Sequence, residues 1–367
     1  METFKPEKIE KSSDKQADII IDEYKEQLLE LFLIRNPKYR FDKNYQDEYK
    51  KFEQELPSSI QWGQWFYFPW NKTTIHYLPE NEYLELRTAR NKNLITKQEQ
   101  EKFYNACIGI AGLSVGSHCA LTIAMMGGSK KIKLADPDVI SVSNLNRIRY
   151  GASALNKNKA IVAARIIAEM NPYAQIEVFV EGLNPNNIDQ FFEGLDIFVE
   201  ETDSLALKIS SRERAKQNKI PVIMATDNGD GVIVDVERYD LQPDLELFNG
   251  ALGSISMKQF ENFPPTDMPK LATKVAGPDY IVPRMQESLL QVGRNLYSWP
   301  QLGSAATFSG IAVAYIARKI IVGDKINSGK YDLNLDAMLD GSYNDEDQIQ
   351  MRKQVKDNFL KILGLNE

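Results

Sequence analysis

An apolar run, CIGIAG, gives way at Gly112 to the turn GLSVGS and then to the helix-like HCALTIAMMG. A strand, a tight turn and a helix in succession aim backbone N–H groups and the positive end of the helix at one point, where an anion is stabilised. Gly112 permits the sharp turn and Gly116 close packing, while Ser114 and Ser117 stand where a dinucleotide loop carries further glycines. About 20 residues beyond Gly112, the next apolar run, KIKLAD, ends in Asp136, the place at which a carboxylate accepts hydrogen bonds from a ribose. Nicotinamide dinucleotide and ATP both satisfy that arrangement. The following stretch adds Asn144, Arg147 and Lys159 before the next helix. A triphosphate attacked at its α-phosphorus needs such cations on its leaving pyrophosphate, whereas a hydride-transfer site does not.

The elements that must hold these residues follow from hydrophobic period. From Ala106 onward short apolar strands alternate with amphipathic helices as far as GVIVDVERYD, the pattern of a doubly wound, Rossmann-like and mostly parallel α/β sheet covered on both faces. Before it, ADIIIDEYKEQLLELFLIR and DEYKKFEQEL predict helices. WGQWFYFPW and TTIHYLP predict strands joined at Asn71-Lys72, so residues 1–95 form a small α+β module behind a charged, irregular start at 1–15. Its aromatic cluster packs against the main domain on this reading. Thr96-Lys97-Gln98-Glu99 is a capping box opening the domain at 96–325. The Pro-rich stretch within 241–285 reads as a loop over the site, PRMQESLLQVGRNL and AATFSGIAVAYIARKIIV as helices, and 326–367 as an extension with a strand-like YDLNLD and a terminal helix.

The 367 residues include 44 Lys and Arg against 51 Asp and Glu, a net charge of −7 that argues against nucleic acid and anionic membranes as partners. No uninterrupted apolar run reaches membrane-span length and no signal-peptide core opens the chain, so a cytoplasmic protein is expected. Cys107 and Cys119 lie in apolar company and read as buried thiols of a reducing compartment. His76 and His118 read as structural, His118 lying beside the phosphate loop.

With those residues in place, the series RTARN, AGLSVGS, LADPD, SNLNR, NKNK and ETDS over residues 87–204 resembles the ThiF/MoeB superfamily, relatives of the ubiquitin-activating enzymes. The resemblance implies an enzyme that adenylylates a carboxylate with ATP and Mg2+. It also implies roles: Gly112, Ser114, Gly116 and Ser117 about the phosphates, Asp136 on the ribose, and Asn144, Arg147 and Lys159 on the triphosphate. Asp203 would lie near magnesium and the α-phosphate, and Arg90 would reach the ATP of a second subunit, which implies a homodimer. The chain has neither a cysteine on a crossover loop for a thioester nor the paired CxxC zinc motifs of many bacterial members. It is therefore similar to the branch that modifies ribosomal peptides in microcin C or pantocin-type antibiotic biosynthesis, with a peptide or small carboxylate as substrate; it also resembles the tRNA threonylcarbamoyladenosine cyclases, against which the acidic charge counts. The N-terminal layout is also similar to a bacterial branch joined to nitroreductase-like domains, whose substrate is unknown. An NAD-dependent oxidoreductase and a non-catalytic scaffold of the same fold are the alternatives.

Overall fold

A computed structural model describes residues 3–42 and 44–365. Seven strands form the main sheet: β5 (Cys107–Ala111), β6 (Lys131–Ala135), β7 (Gln175–Phe179), β8 (Ile197–Glu200), β9 (Val222–Asn228), β10 (Gly231–Glu237) and β11 (Gly329–Leu333). Their order is β11-β10-β9-β8-β5-β6-β7. The first five in sequence run parallel and β10 and β11 are antiparallel additions at one edge. The sheet is thus mostly parallel and doubly wound, as the alternation of strands and helices requires. Winding goes outward from β5 to β7, then restarts at β8 on the other side of β5. The carboxyl ends of β5 and β8 therefore flank the crevice in which such sheets bind ligands.

Alternation along β5 sets the two faces. Ile108 and Ile110 enter one core with α5 (Lys97–Asn105), α6 (Val115–Met125), α7 (Lys159–Met170) and α13 (Gly303–Val322). Cys107 and Ala111 face a second core built with α8 (Ile188–Phe192) and α9 (Leu205–Gln217). Both cysteines are free and buried. Gly109 is needed on that second face, where a Cβ would lie 2.7 Å from Leu195 and 2.8 Å from Phe191. α5 starts at the expected box: Thr96 Oγ1 accepts from Glu99 N–H, and the Glu99 carboxylate accepts from Thr96 N–H at 2.7 Å.

The N-terminal sheet has the order β1-β3-β4-β2, from β1 (Glu7–Ile9), β2 (Ile19–Ile21), β3 (Gln64–Phe68) and β4 (Thr73–Tyr77). Helices α1 (Tyr24–Arg35), α2 (Gln46–Glu55), α3 (Ser58–Trp62) and α4 (Glu80–Arg87) complete this part. Two expectations fail here. The helix expected from Ala17 is preceded by β2, because three successive β-branched isoleucines favour the parallel pairing with β4. Within 1–15, residues 3–15 include β1, paired to β3, while 1 and 2 lie outside the described residues. Part of the aromatic cluster packs on the main domain: the Trp70 indole donates to the Glu169 carboxylate and Phe66 meets Tyr173 edge-on, while Trp62 is exposed and Trp65 stacks on His76 within the module.

The stretch 241–285 is not all loop. It contains α10 (Met257–Phe260) and α11 (Met268–Ala276), because Pro269 stands in the first turn, where its missing N–H costs nothing. Conversely α12 (Pro283–Leu289) stops short of the expected helix, the chain turning through Gly293 at φ +76°. The short α14 (Leu335–Leu339) and the terminal α15 (Glu346–Leu363) follow β11. By length and composition α13 could cross a membrane, contrary to expectation; its small residues pack it on α6 and β9 instead, and half of it is buried.

Candidate nucleotide site

Gly112 has φ +84°, and a Cβ there would stand 2.3 Å from the Glu201 carbonyl oxygen, so the β5–α6 turn passes hard against the end of β8. Gly116 packs α6 onto the sheet, its absent Cβ 3.0 Å from Ile110. Asp136, buried at the end of β6, uses both carboxylate oxygens locally: one accepts from Leu113 N–H at 2.5 Å and the other from Asp138 N–H at 2.8 Å. The acid expected at a ribose is thus also the clasp of the phosphate loop. Burial pushes its pKa up, with Lys159 opposing.

Arg147 is tied to that loop. Its Nε donates to Ser114 Oγ at 3.2 Å and its Nη1 to Asn146 Oδ1 and the Ser143 carbonyl, while Nη2 has no protein partner among the described residues. Its own carbonyl receives His118 Nε2 at 2.5 Å from α6. Burial lowers the pKa of the guanidinium, and Asp227 and Asp203 act in the opposite sense. Gln301 reaches the same corner, its carbonyl accepting from Asn146 Nδ2 at 2.8 Å.

Other expected residues differ in detail. Ser117 does not line the open side of the loop: it is fully buried and its hydroxyl donates to the Ser114 carbonyl at 2.8 Å, closing the first turn of α6. Asn144 Oδ1 accepts from Ser141 N–H at 3.0 Å. Lys159, the first residue of α7, is buried with its Nζ 2.8 Å from Asp138 and 3.9 Å from Asp136, rather than a free cation. Asp203 opens onto solvent just before the α9 cap Ser204; the surrounding walls push its carboxyl up while Lys208 and Lys159 pull it down. Lys159 therefore stands within electrostatic reach of both Asp136 and Asp203.

Arg90 is not brought to this group. It is exposed in the turn Ala89–Asn91, whose neighbours Arg87 and Asn91 hydrogen-bond the Ala124 and Met126 carbonyls at the far end of α6. Eleven residues of helix separate that end from the phosphate loop, about 16 Å.

Sequence reading missed two members of the site, Glu201 and Asp227, and read His118 as structural beside the phosphate loop. Glu201 bridges the gap where β8 and β9 part, accepting from Ala225 N–H at 2.8 Å. The pairing of those strands covers only Phe198 with Val222 and Val199 with Ile223, so the sheet splits beside the turn. His118, at 2% exposure, positions Arg147 rather than touching the open loop. Asp227, at 7% exposure near the end of β9, accepts from Ser309 Oγ at 2.9 Å and Gln301 Nε2 at 3.4 Å. Burial pushes it up to about 6 against Ser309, Arg147 and Gln301. An acid closing the apolar run PVIMAT was the available signal.

A doubly wound sheet with a glycine turn, a clasping aspartate and an arginine on one loop defines a nucleotide-binding α/β protein. The ThiF family profile matches residues 88–337, and the chain belongs to the ThiF family. It is 35% identical to the uncharacterised protein MT1398 of Mycobacterium tuberculosis over 277 residues, 76% of this chain and 38% of that one. It is 31% identical to a probable molybdopterin-synthase adenylyltransferase of Porphyra purpurea over 159 residues, 41% of each. The chain spans less than half the length of either relative. The crystal structure of selenomethionine PaaA is similar with a TM-score of 0.48 at 22% identity, covering 69% of this chain and 77% of that one.

Proposed function

We propose that the protein activates a carboxylate by ATP-dependent adenylylation, releasing pyrophosphate and forming no thioester on a crossover-loop cysteine. The carrying observation is the bond from Arg147 Nε to Ser114 Oγ, which fixes a cation on the phosphate turn itself and leaves Nη2 for a ligand. Membership of the ThiF family and the likeness to an adenylyltransferase support the same reading.

The substrate carboxylate attacks the α-phosphorus, the bond to the β-phosphate oxygen breaks, and the electrons leave on pyrophosphate. Being already nucleophilic, the carboxylate needs no base. Arg147, with the N–H groups opening α6, stabilises the charge that develops on the leaving group. The clasp of Asp136 on Leu113 N–H keeps the turn in shape while its remaining lone pairs meet the ribose. The turn passes against β8 with no side chain at Gly112, which fits a phosphate's close approach. Mg2+ fits beside Asp203, since that ion takes one or two carboxylates together with phosphate oxygens, and when bound it neutralises phosphate charge. Lys159, paired with Asp138, either changes partner when phosphates arrive or acts through that pair.

In this reading the chain acts as a homodimer in which Arg90 serves the partner's site; the distance of Arg90 from its own phosphate turn supports that arrangement. The substrate is a peptide or small carboxylate, with antibiotic-type peptide modification as the biological setting and the cytoplasm as its place. The N-terminal module of residues 1–95 holds the peptide, 96–325 is the adenylation domain and 326–367 the extension.

The test is ATP–pyrophosphate exchange over a panel of peptides with free C-termini, alongside ATP binding by calorimetry. Wild type should exchange and Arg147→Ala should lose roughly 100-fold, the scale of one transition-state donor. Exchange undiminished in Arg147→Ala, or a wild type that binds no ATP, refutes the reading.

A further inference from the structure

Buried carboxylates in this chain come with cations. Glu200 meets Lys208 and Arg212, Glu237 meets Arg212, Asp235 meets Lys330, and Asp136 has Lys159 at 3.9 Å. Among the described residues Asp227, at 7% exposure, has none within ion-pair distance; nor has Glu201 beside it, whose carboxylate is taken up by the Ala225 N–H. Its partners are a hydroxyl and a carboxamide, Ser309 and Gln301, neutral donors that orient the group without neutralising it. A buried charge without a counter-charge is costly, and such a cost is retained where a ligand supplies the missing charge.

The place is equally specific. Asp227 lies at the carboxyl end of β9, next to the split from β8 and on the side of the sheet covered by α13. Arg147 and Asp227 form no ion pair. Gln301 links the two: its carbonyl holds Asn146 beside Arg147, and its side chain holds Asp227. The guanidinium's loop and the isolated carboxylate are thus tied to one residue at the carboxyl end of the sheet.

We propose that Asp227 binds an ammonium group of the substrate, so that the molecule activated is an amino acid or peptide carrying an amine within a few carbons of the reacting carboxylate. This rests on the adenylylation reading and narrows its substrate class. The carboxylate end goes toward the α-phosphate and Arg147, and the amine goes to Asp227. A divalent metal at Asp227 would have to take its other ligands from phosphate oxygens and water, as at Asp203. Among the described residues no three His, Cys, Asp or Glu side chains come together to hold one.

The experiment uses 5′-O-sulfamoyladenosines acylated on the sulfamate, stable mimics of an acyl adenylate. Glycyl, β-alanyl and γ-aminobutyryl probes are compared with propionyl, butyryl and pentanoyl probes, each pair differing by ammonium against methyl. Calorimetry with the 367-residue chain should find at least one amine probe bound roughly 10–100-fold more tightly than its methyl partner, the range of a hydrogen bond to a charged group. In Asp227→Asn that ratio should fall towards one. Equal binding within every pair of the wild type overturns the proposal without needing the variant, and so does a preference that survives in Asp227→Asn. A ratio near one together with an altered magnesium dependence of ATP binding in the variant overturns it in favour of a metal. If methyl probes and ATP bind normally, the adenylylation reading survives that failure; if the wild type binds neither ATP nor any probe, both fall.

Discussion

Replacing Asp227 by Asn should stabilise the protein, and only above about pH 5. The acid's ordinary value of 3.8 is raised to about 6 in the fold, so the folded chain keeps a proton there that the unfolded chain has lost. Between those values stability falls as pH rises, and above about 6 the loss is complete, at about 3 kcal/mol for a shift of this size. Asn removes that penalty but accepts through one oxygen only, so one of the bonds from Ser309 and Gln301 weakens, at about 1 kcal/mol. A net gain of about 2 kcal/mol at pH 8 corresponds to a Tm higher by about 3 °C in a chain of this length. Near pH 4 the folded acid is protonated and the unfolded one only about half ionised, so most of the penalty is gone and the variant should be slightly less stable than wild type. Scanning calorimetry of both proteins between pH 4 and 8 measures the difference. A Tm difference that stays constant across that range, or a variant less stable at pH 8, refutes the argument that burial without a counter-cation dominates this group.

Three further outcomes are expected. Arg212→Met should lower stability by roughly 3–5 kcal/mol in urea titrations, because Glu200 and Glu237 would share a dry interior without their guanidinium; Lys208→Met, at a partly exposed position, should cost far less. Gly112→Ala should abolish ATP binding by calorimetry, whereas Gly194→Ala, at φ +69° with nothing within 4 Å of the new carbon, should cost only about 1–2 kcal/mol of stability and leave binding intact. Arg90→Ala and Arg147→Ala should each lose pyrophosphate exchange, and mixing them should restore about a quarter of wild-type activity, since half the dimers are mixed and each has one intact composite site; no recovery after subunit exchange would place Arg90 outside the partner's site.

Residues 106–240 were legible because their strands are buried on both faces and their helices on one, so period alone separates them. Gly112, Asp136 and Arg147 could be picked out for the same reason: each sits at a strand end or on the crossover that follows, where the chain order fixes the place. Ile19–Ile21 misled because helix and strand periods are indistinguishable over three apolar residues, and the deciding partner, β4, lies about 50 residues away. Pro269 misled because a proline that breaks a helix interior also begins one. Lys159 and Ser117 were recognisable by type but not by direction: the partners that claim them, Asp138 and the Ser114 carbonyl, belong to folded geometry. Asp227 was missed since nothing local marks an acid as lacking a counter-ion; that is known only once every neighbouring helix is in place.

His118 joins the helix that follows the phosphate turn to the carbonyl of Arg147, and Asn146, beside Arg147 in the same loop, donates to the carbonyl of Gln301. Turn, guanidinium and Gln301 are therefore geared together by the bond from Arg147 Nε to Ser114 Oγ and by two short side chains that end on backbone carbonyls. A ligand that draws the turn inward carries the guanidinium with it, and the far side of the crevice follows through the same train. Tightening around the nucleotide and tightening around whatever lies opposite it would then be one movement, and the order in which the two arrive would decide which of them finds the crevice already shaped.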